Sequence, residues 1–328
     1  MQRWTTDQAW AWYRRQPWLV GCDFIPSTAI NQLEMWQAES FDPPTLEREL
    51  DLARGLGFNT LRVYLHDLVW AQDAAGFRGR IDRFLDLCAA RRIRPMLVLF
   101  DDCWNSTFAL GPQPAPRPGV HNSGWVQGPG DRFVDDQTVW PRLSEYVQGV
   151  LGAFGHDERV LLWDLYNEPG NQGLGDRTLQ LLTEVFGWAR AAAPSQPLTA
   201  GIWNDMLAAL NAYQLAESDV ITFHNYNDAA NLEAEIARLK QLGRPLICTE
   251  YMARPRDSRF ETHLPIFKRE GVGCLNWGLV SGKTQTIYPW GSPGGEAEPT
   301  EWFHDIFHAD GRPYRENEAA FIRATVGA

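Results

Sequence analysis

Eight short apolar runs, each followed by a stretch of helical periodicity, limit what this 328-residue chain can fold into more than any other feature. The runs are 19–24 (LVGCDF), 60–65 (TLRVYL), 95–100 (PMLVLF), 160–166 (VLLWDLY), 197–202 (PLTAGI), 220–226 (VITFHNY), 245–250 (PLICTE) and 272–278 (VGCLNWG). Helices are expected at 45–56, 81–92, 140–154, 177–192, 231–242 and 257–270, with a short fifth connection around Asp205–Tyr213. The stretch 4–15 reads as one more helix, flanking or plugging the end opposite the loops. Strands apolar on both faces that alternate with helices make a parallel sheet covered by helices. Eight is the strand count of a closed barrel, whereas a doubly wound sheet usually carries fewer. No GxGxxG or P-loop pattern follows any run, which removes the commonest nucleotide-binding folds. The expectation is an α/β protein, a (β/α)8 TIM barrel forming a single domain over residues 1–328.

Charge and cysteine content narrow the function classes. Thirty basic side chains against 41 acidic ones leave a net charge of −11, and the basic residues are dispersed, so a nucleic-acid partner is not expected. Five cysteines, Cys22, Cys88, Cys103, Cys248 and Cys274, show no CxxC spacing, so neither a disulfide framework nor a zinc cluster is indicated. No apolar run approaches membrane-spanning length, so no membrane partner is expected. Met1–Arg15 has no apolar core of a secretory leader. The expected location is therefore cytoplasmic, or periplasmic or secreted if a leader has been removed. Oligomeric state is not legible.

The chemistry sits where strands end. Asn167-Glu168-Pro169 closes the fourth run and Thr249-Glu250-Tyr251 closes the seventh. In a ring of eight strands, the fourth and seventh bring their last residues across one mouth from each other. Two opposed carboxylates are what glycoside hydrolysis needs, one as proton donor and the other as nucleophile or base. Two long connections, 101–139 and 279–300, follow the third and eighth runs and belong to the same mouth, where barrel active sites lie.

On Asn167-Glu168-Pro169 and Glu250 the chain resembles the retaining glycoside hydrolase clan with a (β/α)8 barrel and catalytic glutamates on strands four and seven. The clan includes cellulase-like, mannanase-like and β-galactosidase-like families, and this chain is family 5-like over roughly residues 15–310. The resemblance implies Glu168 as acid/base, Glu250 as nucleophile and Asn167 on the sugar 2-hydroxyl. It also implies Arg62 beside the nucleophile, His224 and Tyr226 two apart on strand six, and Trp277 as the floor under the reacting sugar. Strand three departs from the pattern: Phe100-Asp101-Asp102-Cys103-Trp104 stands where many cellulase-like members carry a histidine.

Further substrate contacts are expected from Asp102, Trp104, Trp203, Asn204, Lys283 and Glu34. The chain holds 15 tryptophans, and six of them (Trp36, Trp104, Trp125, Trp203, Trp277, Trp290) fall on or after strand ends, where their faces suit sugar rings. No cofactor and no metal is expected. Asp101 and Asp102 read as loop carboxylates, and the His304/His308 pair lacks the glutamate of an HExxH zinc motif. The resulting expectation is a retaining β-glycosidase acting on β-linked oligo- or polysaccharides. The alternative is a carbohydrate-binding barrel without catalysis.

Overall fold

The computed structural model describes residues 1–327. Its eight strands are β1 (Val20–Asp23), β2 (Thr60–Tyr64), β3 (Arg94–Val98), β4 (Leu162–Asp164), β5 (Leu198–Thr199), β6 (Ile221–His224), β7 (Leu246–Tyr251) and β8 (Gly273–Trp277). All pair in parallel in the order β5-β4-β3-β2-β1-β8-β7-β6. A single parallel bridge, Ile202 to Phe223, closes the ring between β5 and β6. The structure is the expected (β/α)8 barrel, with each run present as a strand: six are trimmed, β3 starts one residue earlier than expected and β7 ends one residue later.

Among the described residues ten α-helices accompany the strands: α1 (Thr6–Tyr13), α2 (Gln32–Trp36), α3 (Pro43–Gly55), α4 (Asp67–Ala89), α5 (Trp140–Phe154), α6 (Thr178–Ala192), α7 (Ala208–Glu217), α8 (Ala229–Lys240), α9 (Phe260–Glu270) and α10 (Glu316–Val326). Pro43 and Pro44 open α3 while the Asp42 side chain accepts from Thr45 N, so a fixed φ and a cap coincide at its start. The α4 segment begins fourteen residues before the expected 81, counting from 67. Gly76 and Gly79 disguise its first half, and a break at Asp73 (φ −155) divides it. There the Asp73 carboxylate accepts from Gly76 N at 2.8 Å and caps the second half.

Helix α1 begins with a complete capping box, Thr5 with Gln8. Its Trp12 packs with Leu19, Met96, Leu161, Leu162, Val220, Ile247 and Leu275, residues at or just before the N-terminal ends of the strands. The bottom of the barrel is thus sealed by apolar side chains. The polar residues of the strands gather at the opposite mouth.

The barrel is tight where β1 meets β2. A Cβ on Gly21 would lie 1.8 Å from the Thr60 carbonyl oxygen, backbone that cannot swing away, while a Cβ on Gly152 in α5 would meet nothing within 4 Å. Gly21→Ala is therefore expected to destabilise the fold by about 3 kcal/mol. Gly152→Ala should be neutral or stabilising by up to about 1 kcal/mol. Urea unfolding midpoints of the two variants check this, and equal midpoints would contradict it.

Candidate active site

Glu168 reaches the mouth through a strained turn. After β4 the chain runs Asn167-Glu168-Pro169-Gly170, with Glu168 at φ 43 and Gly170 at φ 86. A left-handed residue immediately before a proline is sterically unfavourable, and strain of this kind persists only where surrounding contacts hold it. The holding contact here is Asp102. Its carboxylate accepts from Tyr166 OH (2.7 Å), Gly170 N (2.8 Å) and Thr178 Oγ1 (2.6 Å), which clamps both sides of the turn.

Glu168 takes three hydrogen-bond partners. Its Oε1 lies 2.8 Å from His224 Nδ1, and its Oε2 accepts from Cys103 Sγ–H at 3.2 Å and from the Asn171 amide. Burial pushes its carboxyl above the ordinary glutamate value, and the Cys103 and Asn171 donors pull it partly back. Burial pushes His224 down to about 4, so the ring is neutral at neutral pH.

Glu250, inside β7, is held differently. Its Oε1 accepts from Arg62 at 2.7 Å and from Tyr64 OH at 3.2 Å, and its Oε2 accepts from Tyr226 OH at 2.9 Å. Burial raises its carboxyl too, while Arg62 and the Tyr226 hydrogen bond favour the ionised form. Of the two glutamates only Glu250 touches a cation, so a proton shared by the pair resides on Glu168. Carboxylate oxygens of the two approach within 4.8 Å of each other, with His224 inside the same radius. Such a trio has the spacing of a cation site, but Arg62 already supplies a buried positive charge to it.

Arg62 lies under the site and is fully buried. It donates to Asp23 (3.0 Å), Asp164 (2.9 Å), Glu250 (2.7 Å), Asn167 Oδ1 (2.7 Å) and Tyr64 OH (2.5 Å). Asn167 Nδ2 donates to Asp101 at 2.9 Å and lies 3.3 Å from the Cys103 sulfur, a weak acceptor that a sugar hydroxyl can displace.

Above the glutamates opens a pocket of about 350 Å³. Of the expected site residues, Asn167, Glu168, His224, Tyr226, Glu250, Trp104, Trp203 and Trp277 line it. Asp102 does not: it is fully buried behind the β4 turn, because adjacent residues of an extended chain face opposite ways and Asp101 takes the inward one. Asn204 borders a separate hollow, with its side chain accepting from Met206 N. Glu34 and Lys283 also stand outside the pocket, paired with each other at 2.5 Å between the loops after β1 and β8. Of the six tryptophans at strand ends, Trp104, Trp203, Trp277 and Trp290 line the pocket. Trp36 is core, donating to Tyr64 O, and Trp125 is buried, donating to Asp101.

Several lining or supporting residues were not anticipated: Cys103, His121, Asn122, Asn171 and Arg256 at the pocket, Asp23 and Asp164 beneath it. The two aspartates did leave a signal. Each is a lone carboxylate inside an otherwise apolar run, a pattern that demands a buried partner. The loop residues left none: Cys103, His121 and Asn122 depend on how a 39-residue connection folds back, and Asn171 and Arg256 on the turns after β4 and β7.

The solved structures that resemble this fold include the exo-beta-1,4-mannosidase Op5Man5 from Opitutaceae bacterium strain TAV5, at TM-score 0.65 and 19% identity over 94% of this chain. The chain spans 60% of that protein's length. The endo-1,4-beta-mannanase from Rhizomucor miehei matches at TM-score 0.62 and 14% identity, covering 95% of both chains. The glycoside hydrolase family 5 mannosidase from the same organism matches at 0.57 and 15%, covering 95% of this chain and 93% of its own. At these identities the likeness is one of fold. No curated protein sequence matches the chain. The model of the family described as cellulase (glycosyl hydrolase family 5) matches residues 25–282, which hold both glutamates and seven of the eight strands, β2 to β8. The chain belongs to that family and is a glycoside hydrolase.

Proposed function

We propose that the protein is a retaining β-glycosidase that hydrolyses β-linked oligo- or polysaccharides by double displacement. One observation carries this reading: carboxylate oxygens of Glu168 and Glu250 come within 4.8 Å. Retention needs carboxyls about 5–5.5 Å apart, whereas inversion needs roughly 6.5–9.5 Å to admit a water molecule. In the first step a Glu250 oxygen bonds to the anomeric carbon, the glycosidic C–O bond breaks, and Glu168 gives its proton to the leaving oxygen. In the second, Glu168 takes a proton from water, the water oxygen bonds to the anomeric carbon, and Glu250 is released as carboxylate. Arg62 and Tyr226 hold Glu250 ionised and aimed, and His224 keeps one Glu168 oxygen fixed through both protonation states by exchanging donor and acceptor roles. The activities named for the structural neighbours are a β-mannosidase, a mannanase and a mannosidase, so β-mannosides come first in a substrate screen.

Glu168→Ala is expected to lower kcat/KM by about 10²–10⁴-fold on substrates with poor leaving groups, and far less on activated aryl glycosides. Glu250→Ala should lose turnover on both, and a 2-deoxy-2-fluoro glycoside should label Glu250 in the wild type. An inverted anomeric product, or full activity in Glu250→Ala, would sink the reading. Sugar binding by a wild type that cleaves no β-glycoside would favour the binding-protein alternative.

The pH profile has a definite sign. Activity needs Glu250 ionised, so it falls as pH drops through that group's raised pKa. It needs Glu168 protonated, so it falls again as pH rises through the raised pKa of Glu168. The bell for kcat/KM should sit above the range of ordinary carboxylates, and Glu168→Gln should erase its alkaline limb. A chelator such as EDTA should leave the rate unchanged; loss of activity with recovery on adding a divalent cation would contradict the metal-free mechanism.

A further inference from the structure

The pocket is lopsided. Its lining comes from β3 to β8 and the segments after them; among the described residues none belongs to β1, β2 or the loops that follow those two strands. That half of the mouth is covered because the long loops after β3 and β8 are bonded together over it. Asn122 N donates to Thr284 O (2.8 Å), His121 N to Ser292 Oγ (3.1 Å) and Gly119 N to Gln285 Oε1 (2.9 Å). The cover is also tied to the strands it hides. Asn31 Nδ2 donates to Gly124 O (2.8 Å), Lys283 N to Ser27 O (3.0 Å), and His66 Nε2 pairs with Gln127 O (2.9 Å).

Two residues of this cover line the pocket and lack side-chain partners there. Asn122 is 1% exposed, and its carboxamide oxygen Oδ1 is buried with no hydrogen-bond partner among the described residues. His121 is 2% exposed. Its Nδ1 donates to the Tyr288 carbonyl at 2.7 Å, which leaves Nε2 as a bare acceptor without a protein partner among the described residues. The backbone here is strained as well: Asn122 has φ 47 and Trp104 has φ 69, and the Trp104 ring lies 5.3 Å from that of His121. An unpartnered buried amide costs about 1–3 kcal/mol, and strain of this type concentrates at ligand sites.

We propose that His121 and Asn122 read hydroxyls of one terminal sugar, enclosed between Trp104 and Trp277, so that the enzyme releases single units from the non-reducing end. The inference rests on the retaining β-glycosidase reading. The covered half is bounded by Trp277, and the hollow behind that ring, lined by Asp23, Tyr64 and Trp125, holds only about 20 Å³, too little for a second sugar. Asn171, Gln172, Trp203 and Arg256 line the other half, where Glu168 hands its proton to the leaving oxygen and the aglycone departs. His121 Nε2 accepts one hydroxyl hydrogen, and the Asn122 amide both accepts and donates, a set suited to two adjacent hydroxyls.

The test uses the full chain with aryl β-glycosides of monosaccharides, their monodeoxy glycones, and β-linked oligosaccharides labelled at the reducing end. Asn122→Gly keeps the left-handed backbone and deletes the amide. His121→Asn keeps a donor for Tyr288 O and deletes Nε2. Each is expected to lose about 5- to 100-fold in kcat/KM with an unchanged Tm. The loss should vanish on the deoxy glycone lacking the hydroxyl concerned. Labelled oligosaccharides should shorten one unit at a time. Should a variant fail to fold, the wild type's own deoxy series decides, since removing a hydroxyl that is read must cost a similar factor. Early internal cleavage, or folded variants equal to wild type on every glycone, would overturn this inference alone. Absence of wild-type activity on all β-glycosides would overturn the underlying reading together with it.

Discussion

The Arg62 guanidinium is the interaction on which the site depends. It joins Asp23 of β1, Asp164 of β4 and Glu250 of β7 at the centre of the barrel, with Asn167 and Tyr64 completing its contacts. Three carboxylates around one cation carry excess negative charge, and burial pushes both Asp23 and Asp164 upward, so protonation of the cluster relieves it. Removing one member of a buried ion cluster typically costs about 3–5 kcal/mol, because its partners are left charged and dry. An apolar barrel centre would be simpler to fold. This one instead fixes the direction of Glu250, and the planar fork of arginine suits the task because it reaches several acceptors in one plane.

From that cluster, order spreads outward through shared acceptors. Asn167 links Arg62 to Asp101, and Asp101 also holds the Trp125 indole at 2.8 Å and Cys103 N at 2.8 Å. Trp125 then packs edge-on against Tyr64 (5.0 Å) and Trp277 (5.5 Å). The Trp277 ring at the pocket is therefore positioned by the same network that orients Glu250. Asp102, one residue on, faces away and clamps the β4 turn, so two adjacent aspartates stabilise the two halves of the catalytic geometry.

Long loops after β3 and β8 turn a barrel mouth into a pocket. Without their mutual hydrogen bonds the face would be an open cleft running over β1 and β2. With them, the pocket draws its lining from β3 to β8 and the segments after them, and its two sides differ. Backbone carbonyls and amides tie the cover together, and the Asn122 carboxamide oxygen is left without a partner among the described residues.

Much of this was legible in the chain alone. The alternation of runs determined the barrel, because strands apolar on both faces must be covered by helices and eight of them close a ring. Motif position placed Glu168 and Glu250 at one mouth, and two-residue periodicity put His224 and Tyr226 on a shared face. Only the tertiary structure decided which loop residues reach the pocket. Asp102, Asn204, Glu34 and Lys283 follow strands in sequence yet turn to other partners, while His121 and Asn122, some twenty residues past β3, arrive at the pocket. The reason is physical: strand periodicity carries direction along a few residues, but a long loop takes its course from hydrogen bonds to segments far away in the chain.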